Sequence, residues 1–130
     1  MKKIIKNKEE WKKILTPLQY KILREKGTEP PTWRAGKNGT VRDFYYCAAC
    51  DNRLFAGRDK YDSGSGWPSF TRPTIREAVI IAPYFGQGEN GAEVLCSLCE
   101  GHLGHIFLDG PAPDGRRFCI NGAVLKRQQS

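Results

Sequence analysis

The sequence predicts a mainly β fold of two antiparallel sheets forming a small sandwich or barrel, with short N-terminal helices and four cysteines pinning the β region. Three observations predict it. Helix signals nearly vanish after about residue 27, short apolar runs separated by turn pairs follow, and two C-x-x-C motifs lie far apart among them. At 130 residues the chain is read as one domain, 1–130, with helices over about 8–26 and a β core over about 40–126.

The elements follow in order. Lys8 to Leu15 predicts a short helix with Trp11, Ile14 and Leu15 on one side. Thr16-Pro17-Leu18-Gln19 is a helix start, with Thr16 as N-cap, Pro17 at the first helical position and Gln19 completing a capping box. Leu18 and Ile22 are expected to face inward, and Gly27 to end the helix as its C-cap residue. Residues 27–39, rich in Pro, Gly and Thr, read as an extended wrap. Strands are expected over 41–46, 53–56, 78–81, 92–95, 105–108, 117–121 and 123–125. Turns are expected at Asp51-Asn52, Ser63-Gly64-Ser65-Gly66, Asn90-Gly91, Asp109-Gly110, Asp114-Gly115 and Asn121-Gly122. No internal repeat is evident.

Charge narrows the function classes. Residues 1–26 hold nine Lys or Arg and three Glu, whereas the other 104 residues hold twelve and eleven acids. Nearly all of the +7 net charge therefore sits on the N-terminal helices, which reads as a solvated face and argues against a nucleic-acid footprint. No apolar run is long enough to span a bilayer, and Lys6 after Ile4-Ile5 interrupts any secretory h-region. A cytoplasmic protein is expected.

The five cysteines divide four and one. Cys47 and Cys50, with Cys96 and Cys99, supply the four thiolates of a tetrahedral Zn²⁺ site, which is structural because no coordination position stays open. The 45 residues between Cys50 and Cys96 mean that one structural zinc per chain pins distant parts of the sheet together. A thioredoxin-like redox motif is the rival reading, but no helix pattern follows either knuckle. Cys119 is the remaining thiol and a candidate nucleophile. Strand alternation puts Arg117, Cys119 and Asn121 on one face and Phe118 and Ile120 in the core, so a guanidinium beside the thiol favours thiolate. His102 and His105, both histidines of the chain, follow the second knuckle in a Gly-rich stretch and are free for another role once four thiolates fill the metal site.

Three runs carry a resemblance: Gly64-Ser65-Gly66-Trp67-Pro68-Ser69-Phe70, the segment from His102 to Pro111, and Arg117-Phe118-Cys119-Ile120-Asn121. They closely resemble the signatures of methionine-R-sulfoxide reductases, the MsrB family, and the likeness extends from about Trp11 to Leu125. It implies two antiparallel sheets, a zinc site remote from the catalytic thiol, and an enzyme that reduces methionine-R-sulfoxide, free or in proteins, to methionine. By resemblance Cys119 is the nucleophile that passes through a sulfenic acid, and His102 and His105 are the active-site pair that helps the oxygen to leave. Asp109 and Arg117 would set the histidine protonation and the thiol pKa, Asn121 would supply a hydrogen bond, and Trp67 would receive the ε-methyl group.

Departures from the family pattern are informative. Many members have a resolving cysteine where this chain has Ser65, so a one-cysteine mechanism is expected, with thioredoxin or glutathione and glutaredoxin as intermolecular reductant. Gly122 stands where the family often has serine, and Pro31-Thr32-Trp33-Arg34 where it often has a Pro-Phe-Ser-Gly-like run. The rival from another class is a zinc-dependent protein or nucleic-acid binding module without catalysis, which gives no reason for a thiol accompanied by two histidines and an arginine.

Overall fold

The computed structural model describes residues 3–31, 39–83 and 88–129. Two capped helices open the chain. In α1 (Lys8–Ile14) the Asn7 side chain accepts from the Glu10 backbone N–H at 2.9 Å, and Glu10 accepts in return from the Asn7 N–H at 3.0 Å. In α2 (Pro17–Glu25) Thr16 and Gln19 make the expected reciprocal pair at 3.1 and 3.0 Å, with Pro17 in the first turn.

Three expectations about these helices are corrected. Trp11 and Leu15 are buried, but Ile14 lies at the edge of so short a helix and is 53% exposed. Leu18 is exposed as well, because the buried side of α2 is centred on Tyr20, Ile22 and Leu23, with Gln19 reaching inward to the carbonyl of Ala123 at 3.1 Å. The left-handed residue at the end of α2 is Lys26 (φ 58°), not Gly27. Gly27 instead passes within 3.0 Å of the Lys21 carbonyl for any added Cβ, so its need is for space.

Among the described residues, nine strands form two antiparallel sheets. β1 (Asp43–Cys47) lies between β2 (Arg53–Ala56) and β9 (Leu125–Gln129). The larger sheet runs in the order β3 (Lys60–Tyr61), β4 (Ser69–Phe70), β8 (Arg117–Ile120), β7 (His102–Phe107), β6 (Glu93–Cys96) and β5 (Val79–Ala82). The two-residue strands β3 and β4 escaped the sequence reading because neither has length enough to show alternation. β7 begins three residues earlier than expected, and β9 starts only after a 3₁₀ turn at Gly122–Val124.

Aromatic rings join the sheets. Phe55 of β2 stacks on Phe70 of β4 at 4.4 Å, Tyr45 meets Phe70 edge-on at 5.2 Å, and Phe118 lies 6.0 Å from Phe55. Phe70, Phe118 and Ile106 are aligned across β4, β8 and β7 and are fully buried, forming one apolar row. The adjacent row of the same sheet faces the other way. It aligns Tyr61, Ser69, Cys119, His105 and Glu93 across β3, β4, β8, β7 and β6.

The two cysteine knuckles are local copies of one another, a repeat that C-x-x-C alone does not disclose. Cys47 N–H donates to Asn52 and Asp51 N–H to Cys47, at 2.8 and 2.9 Å. Cys96 N–H donates to Gly101 and Glu100 N–H to Cys96, at 3.0 and 2.8 Å. Asp51 and Glu100 are both left-handed (φ 65° and 60°), and both hairpins carry a register shift just before their first cysteine. No helix among the described residues is long and apolar enough to cross a membrane.

Candidate active site and metal centre

The four knuckle sulfurs converge. Cys47, Cys50, Cys96 and Cys99 lie within 4.8 Å of one another, with Cys47 to Cys99 at 3.8 Å and Cys50 to Cys96 at 3.5 Å. A Zn–S bond of ~2.3 Å sets a tetrahedral edge of about 3.8 Å, so the spacing fits one tetrahedral ion. Outer donors suit thiolates too: Gly101 N–H points at the Cys99 sulfur at 3.4 Å and Asn52 Nδ2 at the Cys96 sulfur at 3.5 Å. The four cysteines thus form a metal-binding clamp joining the β1–β2 and β6–β7 hairpins.

Cys119 is outside that cluster, on the central strand β8. It lines a cavity of about 230 Å³ with Ser65, Trp67, His105, Phe107, Arg117 and Asn121, and with Thr28 and Gly104. The close approach of β7 to β8 makes this pocket possible, since a Cβ on Gly104 would sit 2.0 Å from the Cys119 carbonyl oxygen. Burial pushes the Cys119 thiol up. The charge and hydrogen bond of Arg117 and a hydrogen bond from Ser65 pull it down, but the thiol stays above its ordinary value. The expected guanidinium effect is present and burial outweighs it. Part of that cation is also committed elsewhere: Arg117 is bound to Asp109 through Nε at 2.9 Å and Nη2 at 3.3 Å, and lies 4.6 Å over the Phe107 ring.

The histidines are placed differently from one another. His105 pairs with Cys119 across the strands and lines the cavity. Burial, followed by the charge of His102, holds its pKa below the ordinary imidazole value. His102 is only 3% exposed and does not line the cavity; its ring meets that of His105 edge-on at 5.2 Å. Residues three apart on a regular strand face opposite sides. Here the extra residue at Leu103 (Leu95 opposite His102, Val94 opposite Gly104) turns both rings to one side.

Asp109 does not contact the histidines. It is 65% exposed at the rim and pairs with Arg117, and the carboxylate on His102 is that of Glu93, Oε2 to Nδ1 at 2.6 Å. Glu93 went unnoticed in the sequence, where one acid in Gly-Ala-Glu-Val-Leu carries no pattern; its strand position directly before the second knuckle was the available signal. Asn121 is buried and committed to the scaffold: its Nδ2 donates to Leu103 at 2.9 Å, and its Oδ1 accepts from Glu29 N–H at 2.9 Å. It lines the cavity wall, and its Nδ2 carries one N–H beyond the bond to Leu103.

Trp67 follows the glycine turn, where Gly64 and Gly66 take φ 78° and 88°. Its Nε1 donates to the Glu29 carbonyl at 2.9 Å, fixing the ring in the cavity wall. The Glu29 carboxylate accepts from Gly122 and Ala123 N–H at 2.6 and 2.7 Å, so residue 29 ties the wrap, the tryptophan and the end of β8 together. At Gly122 a Cβ would lie 3.2 Å from that carboxylate, which explains a preference for small residues. A larger groove of about 780 Å³ runs on the far side of this wall along Pro30, Pro31, Tyr45 and Leu125; it holds neither Cys119 nor a histidine. Thr32 to Arg34 of the departing run lie outside the described residues.

Comparison with known proteins agrees with this arrangement. The family model described as the SelR domain matches residues 15–129. A peptide methionine sulfoxide reductase MsrB of Leptospira interrogans is 50% identical over 124 residues, covering 95% of this chain and 95% of its own. Its counterpart in Bradyrhizobium diazoefficiens is 48% identical over 124 residues, covering 95% of this chain and 89% of its own. Methionine-R-sulfoxide reductase B2, mitochondrial, of Homo sapiens is 44% identical over 126 residues, 92% of this chain and 69% of its own. The family match over residues 15–129 and the near full-length likeness show that the chain belongs to the SelR-domain family, the methionine-R-sulfoxide reductases called MsrB.

Proposed function

We propose that this reductase converts methionine-R-sulfoxide, free or in proteins, to methionine with Cys119 as its only redox-active thiol. The observation that carries the reading is the strand register that sets Cys119 opposite His105 in a cavity walled by Trp67 and topped by Arg117. The Trp67 ring receives the ε-methyl group on an apolar face. The sulfoxide oxygen turns toward His105 and Arg117, and the opposite epimer would exchange those two positions.

Cys119 attacks the sulfoxide sulfur. Its raised pKa means that the resting group is mainly a thiol, so the proton lost by sulfur is available for the departing oxygen. A neutral His105 can relay that proton or donate a hydrogen bond to the oxygen. The step balances as thiol plus sulfoxide giving thioether plus cysteine sulfenic acid: sulfur of the substrate is reduced, Cys119 is oxidised, and the oxygen ends on Cys119.

Recycling needs a thiol from outside. Ser65 holds the position beside Cys119 where a resolving cysteine would act, and its hydroxyl can hydrogen-bond the sulfur but cannot form a disulfide. The other four cysteines are drawn together in the clamp, which fits one structural Zn²⁺ that cross-links the hairpins. A dithiol such as thioredoxin, or glutathione with glutaredoxin, would reduce the sulfenic acid to thiol and water while itself becoming a disulfide. Clustered free thiols also suit a reducing, cytoplasmic setting.

Single-turnover reduction of the separated epimers without external reductant tests this. About one methionine per chain from the R epimer only, with a sulfenic acid on Cys119 and no disulfide by intact mass, is the expected result. An intramolecular disulfide would make a clamp cysteine the resolver and overturn the one-cysteine cycle. Turnover of neither epimer would overturn the reductase reading.

A further inference from the structure

A buried carboxylate stands behind the reactive row. Glu93 is in register with His105, which is in register with Cys119, but its side chain reaches His102 instead. Glu93 is 6% exposed and His102 3%. One carboxylate oxygen is 2.6 Å from His102 Nδ1, and the other is 3.1 Å from the Lys26 ammonium at the end of α2. The second ring nitrogen of His102, Nε2, is buried with no hydrogen-bond partner among the described residues. The ring itself lies edge-on to His105 at 5.2 Å.

Chemistry at this pair is directional. An ionised carboxylate accepts only, so the proton of the short contact belongs to Nδ1. Burial raises the Glu93 pKa, but hydrogen bonds from His102 and Lys26 more than offset it and keep the group ionised. With Nδ1 donating to Glu93, Nε2 is the one ring nitrogen of His102 left to accept a hydrogen bond. Buried ion pairs contribute little net stability against apolar neighbours of equal volume, and β6 otherwise places Val94 and Leu95 here. The arrangement therefore serves orientation better than it serves folding.

We propose that Glu93 is a positioning residue of the reaction: by accepting the Nδ1 proton of His102 it fixes that ring's tautomer and makes Nε2 the nitrogen that serves His105 and the Cys119 pocket. This rests on the reductase reading given above. Among the described residues, His102 meets Glu93 of β6 and His105 of its own strand, and Lys26 at the end of α2 reaches it only through Glu93.

Glu93→Gln is the informative variant, because Lys26 orients the new amide. The amide oxygen keeps the ammonium, so the NH₂ group must face Nδ1, which then becomes an acceptor and drives the proton to Nε2. The experiment combines imidazole ¹⁵N NMR of the full chain with single-turnover reduction of methionine-R-sulfoxide. In the unchanged protein, neutral His102 should carry its proton on Nδ1; in Glu93→Gln it should move to Nε2. The rate constant for reduction should fall by about 10- to 100-fold, as for loss of an outer-shell partner, with substrate affinity changed less than about twofold. Lys26→Gln should leave the tautomer unchanged.

Several results would overturn the proposal. One is a His102 proton on Nε2 in the unchanged protein, a measurement that stands even if Glu93→Gln does not fold. Another is a folded Glu93→Gln that reduces the R epimer at the original rate. If the unchanged protein reduces neither epimer, the reductase reading fails, and the tautomer assignment is judged by NMR alone.

Discussion

Replacing Gly104 by alanine should cost this protein both stability and chemistry, by amounts the geometry sets. A Cβ at residue 104 would lie 2.0 Å from the carbonyl oxygen of Cys119, 3.0 Å from its carbonyl carbon and 3.0 Å from Ile120 Cα. All three are backbone atoms of the neighbouring strand, so no side chain can turn aside. Ordinary contact between such atoms is ~3.5 Å, and β7 and β8 must therefore separate locally by about 1 Å or more. Overpacking of this kind costs ~1–3 kcal/mol, and one or two weakened ladder hydrogen bonds add about 1 kcal/mol each. A total near ~4 kcal/mol should lower Tm by about 10–20 °C. Because His105 and Cys119 are partners across the same two strands, a 1 Å displacement should also slow reduction by roughly 100-fold. Gly115→Ala is the control: residue 115 has a positive φ (71°) that Gly104 lacks, but an added Cβ would meet nothing within 4 Å, so the change should cost only ~1–2 kcal/mol with no change in rate. Thermal unfolding and single-turnover reduction of both variants decide the matter. A Gly104→Ala protein within 1 kcal/mol of the parent, or one with full activity, would refute the claim that strand contact fixes the thiol.

Other perturbations have equally definite outcomes. Alkylation of Cys119 by iodoacetamide should accelerate as pH rises past the ordinary thiol range of ~8.5, since burial raises this pKa and thiolate grows only above it; a midpoint below neutrality would contradict the burial argument. Ser65→Cys should convert the single-turnover product from sulfenic acid to an internal disulfide, because residue 65 lines the same cavity as Cys119; persistence of sulfenic acid by intact mass would show that the two sulfurs cannot meet. Glu29→Gln sets an NH₂ group against the Gly122 or Ala123 N–H and should cost ~2–3 kcal/mol in urea unfolding, and a loss under 0.5 kcal/mol would show that the carboxylate bridge is dispensable. Stripping metal from Cys47, Cys50, Cys96 and Cys99 with a chelator should lower Tm by more than about 10 °C and abolish reduction; unchanged unfolding would mean that the clamp does not contribute to folding.

What could be read in the sequence was whatever short-range chemistry determines. Thr16-Pro17-Leu18-Gln19 specified its cap by three-residue spacing, and the C-x-x-C pairs specified a clamp because thiolates at that spacing have few other uses. The face of Cys119 followed from alternation, and Phe118 and Ile120 are indeed buried. What escaped depended on pairing. β3 and β4 are two residues each and exist only because β8 offers an edge, at Cys119 and Phe118, to Ser69 and Phe70. The meeting of His102 with His105 depends on one extra residue opposite β6, which no composition reveals. Glu93 gained its partner through that same bulge, and Asn121 lost its freedom to Glu29, 92 residues earlier.

The clamp and the reactive pocket are separate sites but share one hairpin. The register shift at Val94 and Leu95 stands immediately before Cys96, and it is the step that turns His102 toward His105 and Glu93. Its twin at Tyr45 and Tyr46 stands before Cys47 and sets Arg53 opposite Tyr46 with no histidine involved, so the bulge belongs first to the knuckle's geometry. Held knuckles keep both bulges, and the second bulge holds the imidazole pair. A metal at the four sulfurs would therefore act on reduction through backbone register rather than through charge. The N-terminal helices reinforce the same hairpin from outside, since Arg24 donates to the Cys99 carbonyl at 2.8 Å and Lys26 to Glu93 at 3.1 Å. The basic end of α2 thus has a local structural use on this domain, which removes the need to invoke a polyanionic partner for those two cations.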